Sequence, residues 1–184
     1  MTTSAVKLEL ARASELSREL ARRRARDIAA AVPDPELPML TLGDLGILRE
    51  VTADDAGVVV WITPTYSGCP ALREMSRDVA ARLAAAGLGD VQVRTALSPP
   101  WSTDWITPAG RRKLAAAGIA PPGPAPKRAP GPVPITLTAA PAAVDCPACG
   151  SADTVRTAAF GATACQDLYR CQACAEPFTH VKEI

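Results

Sequence analysis

Two C-x2-C pairs near one end of the chain constrain its folding more than any other feature. They read Cys146-Pro-Ala-Cys149 and Cys171-Gln-Ala-Cys174, separated by residues 150–170. A tight knuckle can present two thiolates to one ion, and two knuckles at this separation complete a tetrahedral four-thiolate site. A segment of about forty residues cannot bury a sufficient core alone. Phe160, Tyr169 and Phe178 are the large aromatics available there. A structural zinc contributes on the order of 10 kcal/mol of folding free energy. The expectation is one structural zinc per chain, held by Cys146, Cys149, Cys171 and Cys174, with iron in a rubredoxin-type site as the alternative. Thr154–Phe160 and Leu168–Arg170 read as hairpin arms around Gly161. Four thiolates leave no open coordination position, so this metal is expected to be structural, not catalytic.

Five of the six cysteines follow position 145. The N-terminal stretch alternates charged and apolar residues and has no uninterrupted apolar core of a secretory signal. In that setting, clustered cysteines favour metal binding over disulfides and point to the cytoplasm. No apolar run reaches the roughly 18 residues of a membrane helix, so no membrane association is expected. The net charge of +1 lacks the basic excess of a nucleic-acid binder.

Residues 5–31 contain neither Gly nor Pro and are rich in Ala, Leu, Glu and Arg, which predicts a helix over 1–32 that Pro33 ends. Leu16, Leu20 and Ile28 share one face, with basic residues around it; this face suits internal packing or docking on an acidic partner. Residues 33–119 read as one small domain in the order β–β–α–β–α. Ile47–Val51 and Val58–Ile62 form a hairpin around Asp54-Asp55-Ala56-Gly57, the second a strand buried on both faces. An amphipathic helix carries Leu72, Met75, Val79, Leu83 and Ala86 on one stripe. Val91–Leu97 alternates as a half-buried strand, and a short helix covers Thr107 to Ala117. Residues 120–143, with eight prolines, read as a stiff linker. The fold class expected is α/β (α+β), with a three-stranded sheet, packed helices and the ribbon over 144–184.

Among residues outside the knuckles, Cys69 stands out. It precedes Pro70 and the amphipathic helix, which suggests an N-cap thiol whose ionised form the free backbone N–H groups would favour. Thr65 and Ser67 lie on the same polar loop. Asp34 and Glu36 flank Pro35 on another. Cys165 reads as a buried small thiol, a substitute ligand or a redox-reactive group. His180, the sole histidine, reads as an exposed tail residue rather than a ligand. One histidine argues against nucleophilic catalysis of the Ser-His or Cys-His kind. No paired Glu-x-x-His helices of the di-iron type are present.

Asp34-Pro-Glu36-Leu-Pro, Asp44-Leu-Gly-Ile47 and Thr63-Pro-Thr65-Tyr-Ser-Gly-Cys69-Pro70 resemble the SufT-like, metal–sulfur cluster biosynthesis domain. Pro100-Trp-Ser-Thr-Asp104-Trp-Ile-Thr-Pro-Ala-Gly110-Arg111, Gly118-Ile-Ala-Pro-Pro122, Phe160-Gly-Ala-Thr-Ala-Cys165 and Glu176-Pro-Phe178, with the four-cysteine module, are similar to the PaaD/PaaJ family of phenylacetate degradation. The resemblance implies a part beside the phenylacetyl-CoA 1,2-epoxidase, a multicomponent ring-epoxidising monooxygenase. The chain would be an accessory or maturation subunit, not itself the catalyst, with the oxygenase and reductase subunits as partners. It implies iron or transient iron–sulfur cluster handling by Cys69, assisted by Asp34, Glu36 and Thr65. Two other readings stand beside it: a scaffold with a purely structural zinc, and a thiol enzyme using Cys69 directly. Self-association is compatible with all three.

Overall fold

A computed structural model describes residues 3–66, 68–126 and 144–184. Most of the proline-rich segment, 127–143, and Ser67 lie outside the described residues. The chain divides into two compact units, Met1–Pro100 and Trp101–Ile184.

The first unit opens with helix α1, Thr3–Ala30. Its C-terminal turns bury Ala25 and Ala29 completely, whereas Leu16 and Leu20 are 62% and 59% exposed. The packing stripe is therefore made of small residues in the last turns, not of the leucines the sequence suggested. Alanine lets the helix approach the sheet closely. On the exposed face, Glu19 receives the guanidinium groups of both Arg22 and Arg23, at 2.8 and 2.6 Å. Their hydrogen bonds lower its pKa to about 2.

Strands β1 (Leu48–Asp54) and β2 (Gly57–Ile62) form the expected antiparallel hairpin. Gly57 sits at φ +139°, and a Cβ there would collide with the Asp90 carbonyl, which accepts the Val58 N–H at 2.8 Å. Helix α2 (Leu72–Ala85) then crosses over to β3 (Val91–Thr95), which pairs parallel to β2. The sheet order is β1-β2-β3. Helices α1 and α2 pack on each other and on the same sheet. Met75, Val79 and Leu83 of α2 are buried, as their spacing predicted. Val58, Val60 and Ile62 face the core, but Val59 and Trp61 are only half-buried. The central strand is thus covered fully on one face, not on both. On its other face Arg94 stacks 5.5 Å from the Trp61 ring.

The second unit joins helix α3 (Pro108–Ala116) to a four-stranded sheet. Thr107 caps α3, its hydroxyl accepting the Gly110 N–H at 3.0 Å. The strands are β4 (Ile119–Ala120), β5 (Thr154–Ala158), β6 (Gln166–Cys171) and β7 (Pro177–Val181), in the order β4-β7-β6-β5. β5, β6 and β7 run antiparallel, while β4 pairs parallel to β7. The expected hairpin of β5 and β6 is present and is extended by two further strands. Ala120, Val144, Cys146, Tyr169, Cys171 and Phe178 form its core cluster. His180, expected on an exposed tail, is instead 2% exposed in β7. It follows Phe178 by two, so strand alternation puts both on the inner face. Residues 101–120, expected with the first unit, group with the second. Among the described residues, no helix is long and apolar enough to cross a membrane.

Candidate metal centre and thiol–carboxylate site

The two knuckles bring their four sulfurs together. All four Sγ atoms lie within 4.8 Å of one another. Cys146 and Cys174 are 3.8 Å apart, and Cys149 and Cys171 are 3.6 Å apart. Four thiolates around an ion at bonds of about 2.3 Å would stand about 3.8 Å apart along each tetrahedral edge. The donor set and its spacing fit a closed four-sulfur metal centre. Each knuckle contributes one buried and one exposed thiol, Cys146 with Cys149 and Cys171 with Cys174.

Local backbone geometry explains why. The Gly150 N–H donates to the Cys146 carbonyl at 2.8 Å, which closes the first knuckle, and Gly150 leaves it at φ +74°. In the second knuckle the equivalent place is Ala175, at φ +64°. The Cys174 N–H points at the Cys171 sulfur at 3.5 Å. That contact comes first among the causes that pull the Cys171 thiol down to about 7. Cys174 feels the Glu176 N–H in the same sense, but the neighbouring Cys171 and Cys149 sulfurs push its thiol up to about 12. Four crowded sulfurs cannot all ionise unless a cation replaces their protons. Cys165 is buried and lies 3.1 Å from the Thr163 hydroxyl; it is not part of the cluster of four.

The second candidate site lies in the first unit, where the loop leaving β2 leads into α2. In sheets with parallel strands, this end is where functional groups collect. The Cys69 N–H donates to the Tyr66 carbonyl at 3.1 Å, and the Leu72 N–H reaches the Cys69 carbonyl at 3.4 Å. Those turns delay the helix, whose N-cap is Ala71. Cys69 is therefore two residues before the cap, not at it, and Pro70 is not the first helical residue. The thiol still receives backbone N–H groups, from Ala71 and Leu72. It is half-buried, and burial, followed by the charges of Glu36 and Asp34, raises its pKa above the ordinary thiol value. The expected stabilised thiolate is thus reversed: desolvation and two carboxylates outweigh the amides.

Those carboxylates come from the loop after α1. The Asp34 N–H donates to the Leu40 carbonyl at 2.9 Å, and Leu42 N–H to the Val32 carbonyl at 2.8 Å. Asp34 Oδ1 accepts from the Glu36 and Leu37 amides at 2.9 and 2.8 Å. Asp34 is nevertheless buried, and desolvation outweighs those bonds and raises its pKa. Burial first, then the charge of Asp34, raises that of Glu36. Three of the residues the sequence singled out, Asp34, Glu36 and Cys69, therefore act on one another. Thr65 sits half-buried on the Cys69 loop. Sequence reasoning missed the buried His180, whose signal was its place two residues after Phe178.

Comparison with known proteins matches the two segments that carry these residues. Residues 130–182 match the family model of the PaaD zinc beta ribbon domain. Residues 22–95 match that of the iron–sulfur cluster assembly protein family. A protein of Escherichia coli (strain K12), described as one of the subunits of 1,2-phenylacetyl-CoA epoxidase, is 41% identical over 155 residues, covering 84% of this chain and 88% of the relative. The crystal structure of a Domain of Unknown Function, DUF59, from Bacillus anthracis superposes with a TM-score of 0.51 at 28% identity. It covers 54% of this chain and 96% of the other.

Proposed function

The chain belongs to the PaaD family of phenylacetyl-CoA epoxidase subunits, and on that premise we propose that it serves the epoxidase as a maturation factor, loading iron or an iron–sulfur cluster onto the oxygenase or reductase components. One observation carries this reading. Two separate loops bring a thiol and two carboxylates into mutual electrostatic range at the end of β2. A raised thiol pKa suits a group that stays protonated until a cation arrives and then releases its proton to water. It does not suit a standing thiolate nucleophile, which counts against a thiol enzyme. The carboxylates attract the cation, and the Ala71 and Leu72 amides support the sulfur once it is ionised. The resident ion of the four-cysteine centre is inferred to be zinc, which when bound supplies no chemistry beyond holding the ribbon. Elemental analysis should return one zinc per chain. Six free cysteines suit a reducing compartment, the cytoplasm.

Cys69→Ser should leave the fold intact and lower the iron–sulfur content of the co-expressed reductase several-fold, with epoxidase activity falling in parallel. Full cluster content and full activity with that variant would overturn the reading. The exposed Leu16 and Leu20, set among charged residues of α1, favour a second role as scaffold. In that case the complex would co-purify at fixed stoichiometry regardless of Cys69, and substitution of both leucines would release the chain.

A further inference from the structure

His180 takes no part in the chemistry above. It stands in register opposite Asp167 across β6 and β7. Its Nδ1 lies 2.8 Å from Asp167 Oδ1. Asp167 is also buried, and its other oxygen lies 3.9 Å from the Arg156 guanidinium. An ionised carboxylate only accepts, so Nδ1 carries the proton. Nε2 is then left buried with no hydrogen-bond partner, while Glu183 Oε1 stands 3.4 Å away. A buried lone pair facing a carboxylate oxygen, even that of a side chain 32% exposed, is repulsive. A donor or a positive species belongs there: a bridging water, a second proton or a metal ion.

The separation is one that an ion can bridge. A charge-assisted N–H···O contact contracts to about 2.7–2.9 Å. Neighbouring ligands on a divalent ion, each at a bond of about 2.1 Å, stand about 3.0–3.4 Å apart. Asp167 behind the ring completes the carboxylate–histidine–metal arrangement, in which the carboxylate fixes the tautomer and raises ligand basicity. His180 and Glu183 line a cavity of about 260 Å³, which leaves room for an ion and its waters. Neither cation on that wall contacts Nε2 or Glu183. Arg156 faces Asp167. Lys182 Nζ donates to the Ala164 carbonyl at 2.9 Å and lies 4.2 Å from the Phe160 ring centre. Glu183 Oε1 is held in place by the Gly123 N–H at 2.9 Å.

We propose that His180 Nε2 and Glu183 Oε1 form a second metal site, separate from the four-cysteine centre, for a borderline divalent ion of the zinc or ferrous type. Imidazole and carboxylate together suit that class. Two protein ligands with water in the remaining positions make it an exchangeable site, unlike the closed thiolate centre. The site is independent of Cys69 and of the proposed maturation role.

Because His180 is the sole histidine, its ring signals in a long-range ¹H–¹⁵N spectrum need no assignment. The full chain, with its four-cysteine centre filled by one equivalent of zinc, is titrated with further Zn²⁺ and analysed for bound metal after dialysis against micromolar Zn²⁺. The site predicts a second bound equivalent and a shift of the Nε2 signal with Nδ1 still protonated. Glu183→Gln keeps an oxygen for the Gly123 amide, so it should fold, retain the first zinc and bind the second at least tenfold more weakly. Three results would each overturn the site: a His180 spectrum unchanged by excess Zn²⁺, a ring protonated on both nitrogens throughout the titration, or an Nε2 shift in Glu183→Gln that saturates at the same Zn²⁺ concentration as in the parent.

Discussion

Asp34 occupies its place against its own electrostatic preference. Its two amide hydrogen bonds shape the turn, yet burial raises its pKa. A carboxyl whose pKa is raised on folding binds its proton more tightly in the folded state. It contributes stability below its unfolded value of about 3.9, and that contribution is lost as pH rises through the folded value. At neutral pH the ionised group therefore works against the fold. Asn retains the accepting oxygen and removes the charge. Asp34→Asn should be more stable than the parent in urea unfolding at pH 7, with the difference shrinking toward pH 4. Asp34→Ala loses both bonds and should be less stable by about 2 kcal/mol. If the Asn variant is also defective in loading the reductase, the carboxylate is retained for its charge. The sequence revealed the turn, because Asp-Pro-Glu-Leu-Pro admits little else. It could not reveal that this turn faces Cys69, since burial and the approach of a second loop are tertiary facts. The same limit reversed the sign expected for the Cys69 thiol.

Elements with strong local signals were legible. Helix α2 shows its stripe, and the β1–β2 hairpin shows its turn residues. In the second unit, the knuckles fixed the position of β5 and β6. β7 was missed because Pro177 opens it, and a proline at the first position of a strand reads as an interruption although it is tolerated there. β4 is two residues long and exists only through its parallel pairing with β7, so no local pattern announces it. The two knuckles also differ at an instructive place. Gly150 and Ala175 both follow the second cysteine of their pair, and both adopt positive φ. For alanine the left-handed region costs roughly 1–2 kcal/mol. Glycine loses about 0.4–1 kcal/mol through the entropy of the unfolded chain. Ala175→Gly should thus stabilise the metal-loaded chain by up to about 1 kcal/mol, read as a raised unfolding midpoint. The mirror change Gly150→Ala should destabilise it by a similar amount.

At the scale of the whole molecule, the proline-rich run misled the reading of its parts. Eight prolines between 120 and 143 suggested a boundary just after α3, whereas the compact units divide at Pro100. Specific bonds bind α3 and its flanks into the second unit. The Arg111 guanidinium donates to the Pro122 and Thr103 carbonyls. Thr103 N–H donates to the Ile184 carbonyl at 3.0 Å. Ile119 and Ala120 pair with Thr179 and His180. None of these contacts is visible in a linear pattern, because each joins residues far apart in sequence or a side chain to a backbone carbonyl. They have a consequence for metal removal. The second unit has a small core, two members of which, Cys146 and Cys171, belong to the candidate metal centre. Its stability should therefore rest on the ion, whereas the core of the first unit, around Leu40, Ile47, Val60 and Met75, contains no ligand of that centre. Stripping the metal with a strong chelator in the full chain should abolish amide protection in β5, β6 and β7 and, in the same step, in α3. Protection in β2 and α2 should persist. Hydrogen exchange resolved by segment reads the outcome. Loss confined to 144–184, with α3 still protected, would place the boundary after α3, where the prolines suggested it. Joint loss of α3 and the ribbon would show that the metal holds together everything from Trp101 onward.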